Sequence, residues 1–156
     1  MLLLQNPSLD ESKNKLSKII NILLSYNPNI NYIAIINSSP YIINKFTKDN
    51  IHNYLSMKQE NLNFITKILN NMIYDELFIG VGQHALYCGL KELNTIYKSI
   101  INIIKELDLT KIKLKYFGHL VKNNTIPMYP ISPKYINKIN IQDLSLEILT
   151  SFKFRV

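Results

Sequence analysis

The chain has 156 residues, 47% of them hydrophobic, and 18 basic against 11 acidic side chains give a net charge of +7. That length is one domain's worth of folding chain with a real core, and the charge points to a polyanionic partner. A single cysteine, Cys88, excludes an intramolecular disulfide and a thiolate zinc cluster within the chain; it falls among helical apolar positions and reads as a buried thiol.

The start, Met1-Leu2-Leu3-Leu4, is too short an apolar run for a signal peptide and lacks the Arg-rich amphipathic character of a transit peptide. Asn, Lys or Ser interrupts every later apolar run below spanning length, so no membrane partner is expected. Ser8-Leu9-Asp10-Glu11 has the form of a capping box, and Leu16, Ile19, Ile20, Leu23 and Leu24 follow at helical spacing, predicting a helix over 10–26 that Asn27-Pro28 stops. Ile30 and Tyr32 to Ile36 read as a buried strand. Asn37-Ser38-Ser39-Pro40 then reads as a turn with Ser39 as N-cap and Pro40 as the first residue of a short helix. Leu62, Ile65, Ile68, Leu69 and Met72 share one face of a helix expected over about 59–73.

A strand is expected over 75–81 and a long helix over about 84–108, with Leu86, Leu90, Leu93, Tyr97, Ile100, Ile104 and Leu107 inward. In Lys111-Ile112-Lys113-Leu114-Lys115-Tyr116 the side chains alternate, which places three ammonium groups on one strand face. Ile126-Pro127-Met128-Tyr129-Pro130-Ile131-Ser132-Pro133 reads as an extended arm leaving the sheet, since each proline lacks an N–H and biases its predecessor to extended geometry. From Leu144 alternation returns, with Leu146, Ile148, Phe152, Phe154 and Val156 on the same face, predicting a final strand. The expected fold is α+β, a ferredoxin-like split βαβ sheet with a long proline-containing arm over about 118–143 and an N-terminal helical extension. Two segments follow: 1–74, a helix and strand plus helical extension that could complete the sheet, and 75–156, the sheet domain with its arm.

A search for catalytic constellations returns little. Gly80-Val81-Gly82 after a strand lacks the later glycine and the lysine-hydroxyl pair of a phosphate loop. His52, His84 and His119 have no metal-ligand spacing, and the paired acids Asp10-Glu11 and Asp75-Glu76 sit at element starts, where carboxylates suit a helix dipole or turn. No enzyme activity, cofactor or metal site is expected. Arg155 is the only arginine, so lysine carries the charge; it supplies mobile point charges without a bidentate fork, which suits phosphates better than base edges.

The order of elements over 77–156, with Gln83-His84-Ala85-Leu86 at a strand-to-helix junction, Ser132-Pro133-Lys134 in the arm and Glu147-Ile148-Leu149-Thr150 before Lys153 and Arg155, resembles the small-subunit ribosomal protein S-ten family in a divergent mitochondrial form. Ala85 and Leu149 stand where that family carries basic residues, and its last helix and strand have no counterpart after Val156. The resemblance implies a structural constituent of the mitochondrial small ribosomal subunit, in its head, contacting small-subunit rRNA and neighbouring ribosomal proteins and not forming homo-oligomers. Lys111, Lys113, Lys115, His119, Lys122, Lys134, Lys138, Lys153 and Arg155 would then meet RNA, and Ile126, Tyr129, Ile131, Pro133 and Tyr135 would make the arm's protein contacts. The alternatives are a free nucleic-acid-binding α/β module of Alba-like type and a non-catalytic scaffold subunit of a mitochondrial complex. Because the N-terminus supplies a helix and strand in the order the family has at its C-terminus, a circular permutation is also expected. It would pair 30–36 antiparallel with the outer side of 77–81 and place 152–156 between 77–81 and 111–117.

Overall fold

A computed structural model describes residues 1–4, 12–40, 47–80, 91–121, 126–127 and 140–151. Leu2–Leu4 form β1, a strand at the very start of the chain, every residue of which is buried. A run of three leucines can be a strand here because both of its faces are covered, as in parallel sheets, where strands read as continuous apolar runs instead of alternating ones. Helix α1 (Ser12–Tyr26) follows and ends at the expected Asn27-Pro28 stop.

β2 (Ile35–Asn37) pairs parallel with one side of β1, and β3 (Glu76–Gly80) pairs parallel with the other. Between β2 and β3 run α2 (Ile51–Ser56) and α3 (Lys58–Asn71). The helical segment expected between the two strands is thus a crossover that carries the chain back across β1. Residues 41–46, where a helix led by Pro40 is expected, and 5–11, which hold the expected capping box, lie outside the described residues.

After β3 comes α4 (Lys91–Lys105), with Tyr97, Ile100 and Ile104 buried as its spacing predicts and Ile96 and Ile101 buried besides. β4 (Lys113–Phe117) pairs parallel and directly with β3, in the register Phe78 to Lys115. This corrects the split βαβ expectation, in which another strand separates the two that the helix joins. The place proposed for 152–156 is therefore closed, and the permutation fails as well: β1, not 30–36, lies against β3, and all the pairings involved are parallel.

The last third also differs from its reading. Leu120–Val121 (β5) and Ile126–Pro127 (β6) make a two-stranded antiparallel ladder within the expected arm. Ile141–Asp143 (β7) then returns to pair antiparallel with β4, giving a mixed five-stranded sheet in the order β2-β1-β3-β4-β7. The predicted strand from Leu144 is instead the short helix α5 (Leu146–Thr150), N-capped by Ser145, whose hydroxyl accepts from the Ile148 amide at 3.2 Å. Leu144, Ile148 and Leu149 turn to the core at helical spacing, and the cap decides between the two periods. Residues 128–139 and 152–156 of the expected arm and strand lie outside the described residues.

The sheet separates two cores. Leu2, Leu4, Phe78 and Phe117 meet Ile19 and Leu23 of α1 on one face. On the other, Leu3, Leu77, Ile79, Leu114 and Tyr116 meet α2, α3, α4 and Leu149 of α5. The molecule is therefore an α/β arrangement of helix, sheet and helices, in which the neighbours β1 and β3 are followed by helices on opposite faces.

Candidate functional site

In sheets of this kind ligands favour the carboxyl ends of the strands where the helices switch faces. Here that place lies beyond Leu4 and Gly80, and the following segments, 5–11 and 81–90 with the Gly80-Val81-Gly82 sequence, extend outside the described residues. What is described at the carboxyl end is a cleft of about 340 Å³ between the end of β2 and α3, lined by Asn37, Ser39, Pro40, Met57 and Phe64 among others, and beside it a buried polar cluster. The Ser38 carbonyl, just past β2, accepts from the Tyr54 hydroxyl at 2.6 Å and from the Asn61 amide at 2.7 Å. The Ser38 hydroxyl is 3.5 Å from that of Tyr97, and Ser38, Ser39, Tyr54, Asn61 and Tyr97 are all buried. Burial raises the Tyr54 phenol pKa, so it stays a neutral donor. This cluster ties α2, α3 and α4 to the end of β2. No buried side-chain polar atom among the described residues lacks a partner, and no group of His, Cys, Asp or Glu there could hold a metal.

The amino end of the sheet is open. Between the α1–β2 connection and the starts of β3 and β4 lies a cleft of about 500 Å³, lined by Asn27, Asn29, Asn31, Tyr32, Asp75, Glu76, Lys111 and Lys113 among others. Its shape follows from the Asn-Pro-Asn turn: Asn27 Oδ1 accepts from the Asn29 amide at 3.0 Å, which folds the chain back after α1. Tyr32 is 58% exposed and outside any strand, against the expectation of a buried one. Its hydroxyl donates to the Ile73 carbonyl, bracing the α1–β2 connection against the end of α3.

The expected lysine face divides. Lys111 precedes β4, is exposed, and pairs with Asp108 at 2.9 Å. Hydrogen bonds from Thr110, then from Lys111, pull the Asp108 carboxyl down to about 2. Lys113 is exposed at the start of β4. Lys115 is buried: its Nζ lies 2.7 Å from Asp143 and 3.8 Å from Glu76, and 5.5 Å from the centre of the Tyr26 ring. Desolvation alone would lower the Lys115 pKa, but the Asp143 hydrogen bond, with Tyr26, outweighs it and holds the group above its ordinary value. The face is thus an internal charge centre at Lys115 and a solvent-facing pair at Lys111 and Lys113.

His119 is exposed beside β5. Lys122, Lys134, Lys138, Lys153 and Arg155, with Tyr129, Ile131, Pro133 and Tyr135, lie outside the described residues, and Ile126 is placed in β6 by its backbone. Sequence reading missed the Tyr32 cleft because an isoleucine-rich flank made Tyr32 look like part of a strand. The signal was the asparagine at every second place through 27–31, which leaves that stretch wet on one side. No helix of the described residues is long and apolar enough to cross a membrane. No protein-family model, curated protein or solved structure matches the chain.

Proposed function

We propose that the protein is a non-catalytic, RNA-contacting constituent of a ribonucleoprotein assembly. The observation that carries this reading is how the charge is distributed. The buried Lys115 is met by Asp143, and Lys111, just before β4, by Asp108, while Lys113 at the start of β4 faces solvent. From 118 onward the chain has five basic residues, Lys122, Lys134, Lys138, Lys153 and Arg155, against two acids, Asp143 and Glu147. Residues 1–117 carry the rest of the surplus, 13 basic against nine acidic, so the excess charge runs through the whole chain and suits a polyanion held by phosphate contacts over a wide surface.

Of the assemblies, the mitochondrial small ribosomal subunit is the one the sequence resemblance names. The ferredoxin-like plan is not carried forward with it, because β3 and β4 are direct neighbours. Sedimentation of tagged protein from lysed mitochondria tests the reading: it should travel with the small ribosomal subunit through a high-salt gradient. Migration as a free protein would favour an independent nucleic-acid binder, and migration with detergent-extracted membranes a scaffold subunit. For the isolated protein, replacing Lys134, Lys138, Lys153 and Arg155 by glutamine should flatten the log-log salt dependence of RNA binding by roughly 0.7–0.9 per phosphate contact removed. An unchanged slope would take these residues out of the interface.

A further inference from the structure

We infer that the amino-end cleft beside Tyr32 receives one unpaired base of a single-stranded RNA segment. This rests on the RNA reading above and adds to it a site, a residue and a strand form. The cleft, at about 500 Å³, falls within the roughly 300–1,000 Å³ typical of small-ligand sites. Its distinguishing feature is an exposed aromatic ring: Tyr32 presents 58% of its surface to solvent at the cleft, with its hydroxyl towards the Ile73 carbonyl. A base can stack on a ring so presented, and stacking tolerates any base.

The groups around the ring suit a nucleotide. Asn29 and Asn31 are exposed on the same connection, and their amides can both donate and accept, as base edges and ribose hydroxyls require. Lys111 and Lys113 line the cleft as well. Asp75 and Glu76 also line the cleft, and Asp108 holds Lys111, so charge there is nearly balanced. That balance disfavours a free nucleotide, whose charge is concentrated, and favours a base delivered by a strand whose backbone is bound elsewhere. A duplex keeps its bases stacked inside and cannot offer a base face to the ring.

Fluorescence anisotropy with a labelled oligo(rA) of roughly twelve nucleotides, a duplex RNA of the same length, and AMP tests this. Tyr32→Leu should weaken oligo(rA) binding by roughly 5- to 100-fold, Tyr32→Phe should stay close to wild type, and duplex binding should be unchanged in both. Wild-type protein irradiated with oligo(rU) should crosslink at Tyr32, a readout that needs no variant to fold. Equal losses on duplex and single strand, no loss with Tyr32→Leu, crosslinks only elsewhere, or AMP binding as tightly as the oligomer would each overturn the inference while leaving RNA binding intact. Failure of the wild-type protein to bind either RNA would overturn the RNA reading itself, and this inference with it.

Discussion

Lys115 stands between Phe78 and Asp143 in the sheet register, with Phe117 two places along on the same face of β4. An ammonium in that position is stable only while its partners remain, since a buried cation stripped of a counter-ion costs more than the pair contributes. Asp143→Ala should therefore destabilise the fold more than Lys115→Met, which removes the charge and keeps the volume. Urea unfolding of the two variants checks the order, and the reverse order would mean that the stem of Lys115, not its charge, is what matters. The pH dependence follows with a definite sign. The Lys115 pKa is raised in the folded state, so its contribution is present below the ordinary lysine value and is lost as pH rises through the folded one. The Asp143 pKa is lowered, first by the Lys115 hydrogen bond, so its contribution is present above the ordinary carboxylate range and is lost as acid protonates it. Urea midpoints from about pH 3 to 11 should fall at both ends in the wild type and flatten at both ends in Lys115→Met. A residual alkaline loss should persist, because burial also raises the Tyr54 phenol pKa.

Among the elements, helices were the legible part of the sequence. α1, α3 and α4 each carry apolar residues at helical spacing with stop signals, and their described spans fall within the expected ones or within a residue of them. The strands β3 and β4 were legible as well, but their neighbours were not. Parallel pairing leaves no turn in the sequence to betray it, and register is fixed by contacts from far along the chain. At α5 two periods competed. Leu144, Leu146 and Ile148 fit alternation, while Leu144, Ile148 and Leu149 fit a helix, and the local evidence against a strand was Ser145 placed to cap. Ser145→Ala should cost about 1 kcal/mol, since the hydroxyl caps the Ile148 amide. In an exposed strand the same change would be nearly neutral. Gly118 offers a second check: at φ 72 it ends β4 in the left-handed region, and its carbonyl accepts from the Gln142 amide at 2.7 Å. Gly118→Ala should destabilise by about 1–2 kcal/mol, the cost of placing a Cβ there.

For the whole molecule, the decisive strand is the one that sequence reading passed over. β1 has only three residues, yet it lies between β2 and β3 and joins the N-terminal and C-terminal parts of the chain into one sheet. Leu2 and Leu3 have no exposed surface, and they point into opposite cores. A division at about 74 is therefore not a division into units that can fold separately. Without β1, the strand β3 would present Leu77, Phe78 and Ile79 along an unpaired edge, and α1 and α3 would lose the sheet faces they cover. The expected outcome for a fragment of residues 75–156 is no cooperative unfolding transition and no dispersed amide spectrum, whereas the full chain shows both. In the full chain, Leu3→Ala should cost about 2–5 kcal/mol, as for other large-to-small core changes, against less than about 0.5 kcal/mol for Leu24→Ala on the 41% exposed side of α1. A folded 75–156 fragment would remove β1 from its central role.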